Sequence, residues 1–173
     1  MKITQEQKDY LEKIYQTFLH DEKILKMKEV PMHRGSNCYE HSFKVAKRAI
    51  KRALNSLRED INLEVVLIGA ILHDYYLYDW RTDRSKRKRH GRNHQFIASE
   101  NASRDFDVSP KVKKVIETHM WPLNIKNYPS TIEARIVSIS DKSIAISEAS
   151  TSVKYKEKKR EETSKFISKL FND

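Results

Sequence analysis

Residues 65–74 read VVLIGAILHD. Eight uncharged residues, Val65 to Leu72, run straight into His73 and Asp74. The run reads as core, and Asn62 ahead of it is a good helix cap, so a helix is predicted from 62 to 73. Burying an imidazole and a carboxylate at its end is costly unless something partners them, and a metal ion is one such partner. The remaining sequence bears on what else converges there.

The composition favours helices. Three glycines and four prolines in 173 residues are too few for a hairpin-rich β fold. Hydrophobic residues at 38% and charged residues at 34% describe a globular but rather polar chain, long enough for one domain with a core. The net charge of +10 draws anions: nucleotides, phosphates, nucleic acid or an acidic partner. A single cysteine, Cys38, excludes an internal disulfide and a four-cysteine zinc cage. The opening MKITQEQKDYLEKIY has no apolar signal-peptide core, and no apolar run approaches the roughly 20 residues of a membrane helix. A cytoplasmic protein with no membrane partner is expected.

One domain over residues 1–173 is predicted, with its core at about 31–149. A first helix at about 4–20 places Tyr10, Ile14 and Phe18 at helical spacing, and PMHRGSNC (31–38) reads as a loop. From 39 to 57 the stripe is Val45, Ala49, Ala53 and Leu57. DWRTDRSKRKRHGRN, from Asp79, reads as a basic surface loop before a helix over 94–106 through Ile97, Ala98 and Ala102. Ser109-Pro110 starts a helix carrying Val112, Val115 and Ile116, which Trp121-Pro122 should end. Residues 131–149 carry Ile132, Ile136, Ile139 and Ile144, and a charged helix at about 151–171 presents Phe166, Ile167 and Leu170. The fold class is all-α, a bundle of six or seven helices.

Five of these segments aim an ionisable residue inward. His41 precedes Val45 by four, and His73 follows Gly69 by four. His94 stands three and four before Ile97 and Ala98, and His119 follows Val115 and Ile116 at the same offsets. Asp141 follows Val137 by four. Such offsets share a helix face. Taken singly, a histidine on an apolar face is more often a hydrogen-bonded core residue. Taken together with Asp74, four histidines and two aspartates would need too many separate partners, whereas a shared cation serves all of them. Imidazole and carboxylate without thiolate suit Mn²⁺, Fe²⁺, Co²⁺, Ni²⁺ or Zn²⁺. Six ligands fit two ions sharing a carboxylate about 3.5–4 Å apart, an arrangement common in phosphoester hydrolysis.

YEHSFKVA around His41, GAILHDYY around His73-Asp74, NHQFIASENA around His94, ETHMWPLN around His119 and VSISDKSIA around Asp141 follow one order. That order resembles the HD-domain metal-dependent phosphohydrolases over about residues 31–149. The resemblance implies one ion held by His41, His73, Asp74 and Asp141, and a second held by His94 and His119 with Asp74 bridging. It looks closest to the binuclear members, which include bacterial dinucleoside-polyphosphate hydrolases. Many members have a glycine soon after the His-Asp pair, where this chain has Tyr75 and Tyr76.

The implied chemistry is hydrolysis of a phosphate ester or anhydride in a small phosphorylated metabolite, a nucleotide above all. A water activated by the ions attacks phosphorus. Asp74 and Lys142 are the candidate catalytic residues. Lys142 follows Asp141 and either holds a phosphate at the rim or stands in solvent. Arg84, Trp80 and Trp121 are further candidates for substrate contact. The basic run Arg84 to Arg92 steers a polyanion or is simply solvated. Each tryptophan stacks on a base or closes an end of the core. Cys38 is read as packing rather than as half of a Cys-His dyad, and His90 as a residue of the basic loop. His20 and His33 are read as surface residues. Two rivals stand beside the enzyme: a basic helical nucleic-acid-binding or regulatory module with structural metal, and an HD domain that binds a nucleotide signal without cleaving it.

Overall fold

A computed structural model describes residues 1–32, 35–82 and 84–150, with only the backbone of residues 84–89. The expected C-terminal helix and His33 lie outside the described residues, as do the side chains of Arg84 and its basic neighbours to Arg89. The described elements are α1 (Gln5–His20), α2 (Glu22–Leu25) with a 3₁₀ turn (Lys26–Glu29), α3 (Cys38–Leu54) and α4 (Leu63–Leu72). They continue with α5 (Arg84–Phe106), α6 (Pro110–Thr118) and α7 (Ile132–Ser150). No strand forms among the described residues, and the protein is all-α.

The helix starts follow from their caps. Thr4 and Gln7 form a reciprocal capping box on α1. The side chains of Asn37, Asn62 and Ser109 accept from the backbone N–H of Glu40, Val65 and Val112 respectively. Pro110 occupies the first turn of α6, where its missing N–H costs nothing.

Helix α4 is central. Eight of its ten residues are buried, and it packs against α1, α3, α5, α6 and α7. Complete burial of a side chain such as Ile71 or Leu72 contributes about 1.5–3 kcal/mol. One position sets how closely α4 meets α6. A Cβ at Gly69 would lie 2.6 Å from Val115 Cγ1 and 3.0 Å from Val115 Cβ, so only glycine permits this spacing. His73 and His119 each follow that crossing by one turn, and their rings end 4.9 Å apart.

Four expectations need correction. The buried face of α1 centres on Leu11 and Tyr15 with Ile14 and Phe18 beside it, leaving Tyr10 exposed. Helix α3 ends at Leu54, so Leu57 lies beyond it in solvent. Ile139 points outward from α7. From Arg84 on, the stretch read as a basic loop is the first part of α5, which begins at Arg84 rather than at residue 94. Lys and Arg are good helix formers, so a basic run can be helical without an apolar period. Between His20 and Pro31, where no element is expected, Ile24 and Met27 are fully buried under the short α2 and its 3₁₀ turn.

Candidate metal centre

Five helices deliver the six residues singled out in the sequence. His41 lies one turn into α3, and Asp141 sits within α7. His73 caps the C-terminal end of α4, with Asp74 beyond it. His94 lies within α5, and His119 caps the C-terminal end of α6. Two helix C-termini therefore point here, and the negative end of a helix dipole favours a cation. All six residues are buried.

The rings are oriented by the backbone. Nδ1 of His73 lies 2.8 Å from the Ala70 carbonyl, Nδ1 of His94 2.7 Å from that of His90, and Nδ1 of His119 2.7 Å from that of Ile116. A carbonyl only accepts, so each Nδ1 carries its proton and each Nε2 is turned to the cluster. His41 is held differently. Its Nδ1 lies 2.9 Å from Glu148 Oε2 and its Nε2 3.1 Å from Asp141 Oδ1. Glu148 also accepts from Lys44 Nζ at 2.7 Å.

Asp74 stands between two sets of nitrogens. Its Oδ2 is 3.3 Å from His73 Nε2 and 3.9 Å from His41 Nε2. Its Oδ1 is 3.3 Å from His94 Nε2 and 3.6 Å from His119 Nε2. Asp141 Oδ1 closes the first set, 3.7 Å from His73 Nε2. Nε2 of His94 and His119 face each other at 3.1 Å. Despite this crowding, His73 Nε2 and Asp74 Oδ1 have no hydrogen-bond partner. Buried polar atoms without partners are costly, and a buried imidazole nitrogen and a buried carboxylate oxygen are donors that suit a transition-metal ion. His41, His73 and Asp74 present ligand atoms close enough together to hold an ion. So do His73, His119 and Asp141, and so do Asp74, His94 and His119.

The electrostatics agree. Burial disfavours charge on His41 and His73, yet the surrounding carboxylates outweigh it and raise them to about 9 and about 10. Burial, reinforced by His73, pushes His119 down to about 3. Asp74 and Asp141 lie well below the usual carboxylate range because the neighbouring imidazoles overcome their burial. Glu148 falls to about 2 as His41 and Lys44 likewise outweigh burial.

Glu148 was missing from the sequence reading, although it follows Asp141 by seven and Ile144 by four and so lies on the same helix face. Lys142, read as reaching a phosphate at the rim or standing in solvent, is partly buried beside Asp141, with Nζ 3.9 Å from Asp141 Oδ2. Its Nζ donates to the His119 carbonyl at 2.7 Å and to Ser138 Oγ at 3.0 Å, and burial lowers its pKa. Trp80 reaches the site through a stack, its ring 5.1 Å from that of His90, which lies 4.6 Å from that of His94. Trp121 is exposed and meets Tyr128 edge-on at 5.6 Å. Arg84 begins α5, its side chain outside the described residues. Cys38 is buried, donates to Tyr76 Oη at 3.1 Å, and is held as the thiol by that burial. His20 is exposed.

A family model for the HD domain matches residues 38–146. The chain belongs to the HD domain family. No curated protein and no solved structure matches it. The HD domain places the chain in a superfamily of metal-dependent phosphohydrolases, and the matched stretch runs from the first turn of α3, just before His41, to beyond Asp141. Among the described residues, no helix is long and apolar enough to cross a membrane.

Proposed function

We propose that this HD domain hydrolyses the phosphate ester or anhydride of a small phosphorylated metabolite, most simply a nucleotide, with two divalent transition-metal ions. The division of Asp74 carries the reading, one oxygen toward His41 and His73 and the other toward His94 and His119. His41, His73, Asp74 and Asp141 would hold one ion, and His94 and His119 with Asp74 the other. Bound there, Mn²⁺, Fe²⁺, Co²⁺, Ni²⁺ or Zn²⁺ supplies Lewis acidity, acidifying water and countering phosphoryl charge.

The chain's own residues prepare that chemistry. Backbone carbonyls fix three imidazoles with Nε2 inward, and Glu148 fixes the fourth, the outer-shell arrangement that orients metal-binding histidines. Lys142 and Ser138 both hold the His119 carbonyl and so keep the end of α6 against α7. We assign Lys142 to positioning His119 rather than to gripping phosphate. Cys38 takes no part as a nucleophile, since a buried protonated thiol is inert.

The test is metal analysis of protein purified without chelator, followed by a screen of nucleotides, phosphorylated metabolites and a generic phosphodiester with each metal. Metal content near two per chain with turnover supports the proposal. Nucleotide binding without turnover in Mn²⁺ would make the protein a sensor instead. Salt-sensitive binding of nucleic acid without turnover would make it a binding module.

A further inference from the structure

The loop from His119 to Thr131 leaves apolar side chains in water. Trp121 is 37% exposed, Leu123 75%, Ile125 78% and Tyr128 49%. Exposed apolar residues are ordinarily scattered, and a cluster of this kind marks a contact surface. The backbone beneath is well held. The N–H groups of Trp121, Asn124 and Asn127 donate to Thr118, Met120 and Asn124 carbonyls, and Arg135 Nε donates to the Pro129 carbonyl at 3.0 Å. The loop thus presents these side chains from a firm base.

Its surroundings are cationic. Lys126 is exposed within the loop, and the Arg135 guanidinium lies 5.5 Å from the centre of the Tyr128 ring. Asn124 Nδ2 donates to the Arg92 carbonyl at 3.4 Å, which sets exposed Arg92 alongside. No Asp or Glu occurs between Glu117 and Glu133.

We infer that this loop docks the protein onto an anionic lipid surface, with Leu123 and Ile125 entering the acyl boundary and Trp121 and Tyr128 at headgroup level. Tryptophan and tyrosine favour that level, and neighbouring cations are drawn to anionic headgroups. Leu123 and Ile125 stand three-quarters exposed, a presentation that suits a broad surface better than the enclosure of a small ligand. A second copy is disfavoured because it would press two cationic rims together on chains of net charge +10. A peripheral contact needs no spanning helix. The sequence expectation of no membrane partner rested on the lack of a signal-peptide core and of a long apolar run, neither of which bears on a peripheral contact. The inference does not depend on the phosphohydrolase reading.

Sedimentation of the full chain with vesicles tests it. Wild-type protein should pellet with mixed phosphatidylcholine–phosphatidylserine vesicles and much less with phosphatidylcholine alone. Leu123→Ser with Ile125→Ser should weaken that binding by about tenfold or more, with circular dichroism and metal content unchanged. Lys126→Glu should weaken it as well. In a Trp80→Phe background, Trp121 fluorescence should shift to the blue on binding. Equal binding by wild type and the double variant would overturn the inference, as would no binding to the mixed vesicles. Capture by polyglutamate with vesicles left unbound would overturn it in favour of an acidic protein partner.

Discussion

Because the two oxygens of Asp74 face different histidine pairs, one substitution there removes a contact from both halves of the cluster. Asp74→Ala should lose metal loading and hydrolysis together, as read by metal analysis and turnover, and retained activity would remove the bridging role. Glu148 acts one step back. Glu148→Gln keeps the shape but discards the charge facing His41 Nδ1, and should weaken metal affinity about 10–100-fold with an unchanged circular dichroism spectrum. Protons supply a third test. In the metal-free protein His41 and His73 stay charged up to about 9 and about 10. The stability this gives is complete below the ordinary imidazole value near 6.5 and is lost as pH climbs through 9 to 10. An incoming cation must displace those protons, so loading at neutral pH should release protons and tighten as pH rises. Calorimetry in buffers of different ionisation enthalpy measures this, and a binding heat independent of buffer would contradict it. At this scale the sequence was largely legible. Five of the six residues announced themselves by their offsets from buried neighbours such as Val45, Ala98 and Val115, and Asp74 by standing next to His73. The contact of Lys142 with the His119 carbonyl was not legible, because a side chain that folds back on a carbonyl leaves no trace in spacing.

Among the elements, the crossing of α4 and α6 governs the cluster. A methyl group at residue 69 would drive into Val115, a stiff β-branched side chain whose Cβ is itself close. Gly69→Ala should therefore destabilise the fold by about 1–3 kcal/mol and loosen metal binding. Adding Val115→Ala should recover much of both in thermal unfolding and metal titration. Additive losses in the double variant would show that the crossing does not control the site. Capped helices were legible because Asn62 and Ser109 state where a helix begins. The start of α5 was not, since its basic sequence carries no apolar period, and α2 was too short to show one.

Across the whole molecule, α4 collects its neighbours into one core and brings residues more than sixty positions apart to its end. That convergence could be inferred from shared polarity, but which helix touches which is absent from any local pattern. The exposure of Leu123 and Ile125 was equally hidden, because a short apolar stretch reads alike whether covered or bare. Ions bound among the buried carboxylates and imidazoles stabilise the folded state alone, so chelator should lower the melting temperature, by about 2–4 °C for each kcal/mol of binding linkage lost. An unchanged melting temperature would mean that the cluster folds equally well without cations. The corners of the cluster also differ in how they can fail. Three imidazoles take their tautomer from main-chain oxygens, which no replacement elsewhere in the chain can delete. The His41 ring depends on a single acid two helical turns beyond Asp141. Under random mutation that corner is the one that would erode first, and a descendant that has lost the acid would keep the His94–His119 half of the centre while its other half fell silent.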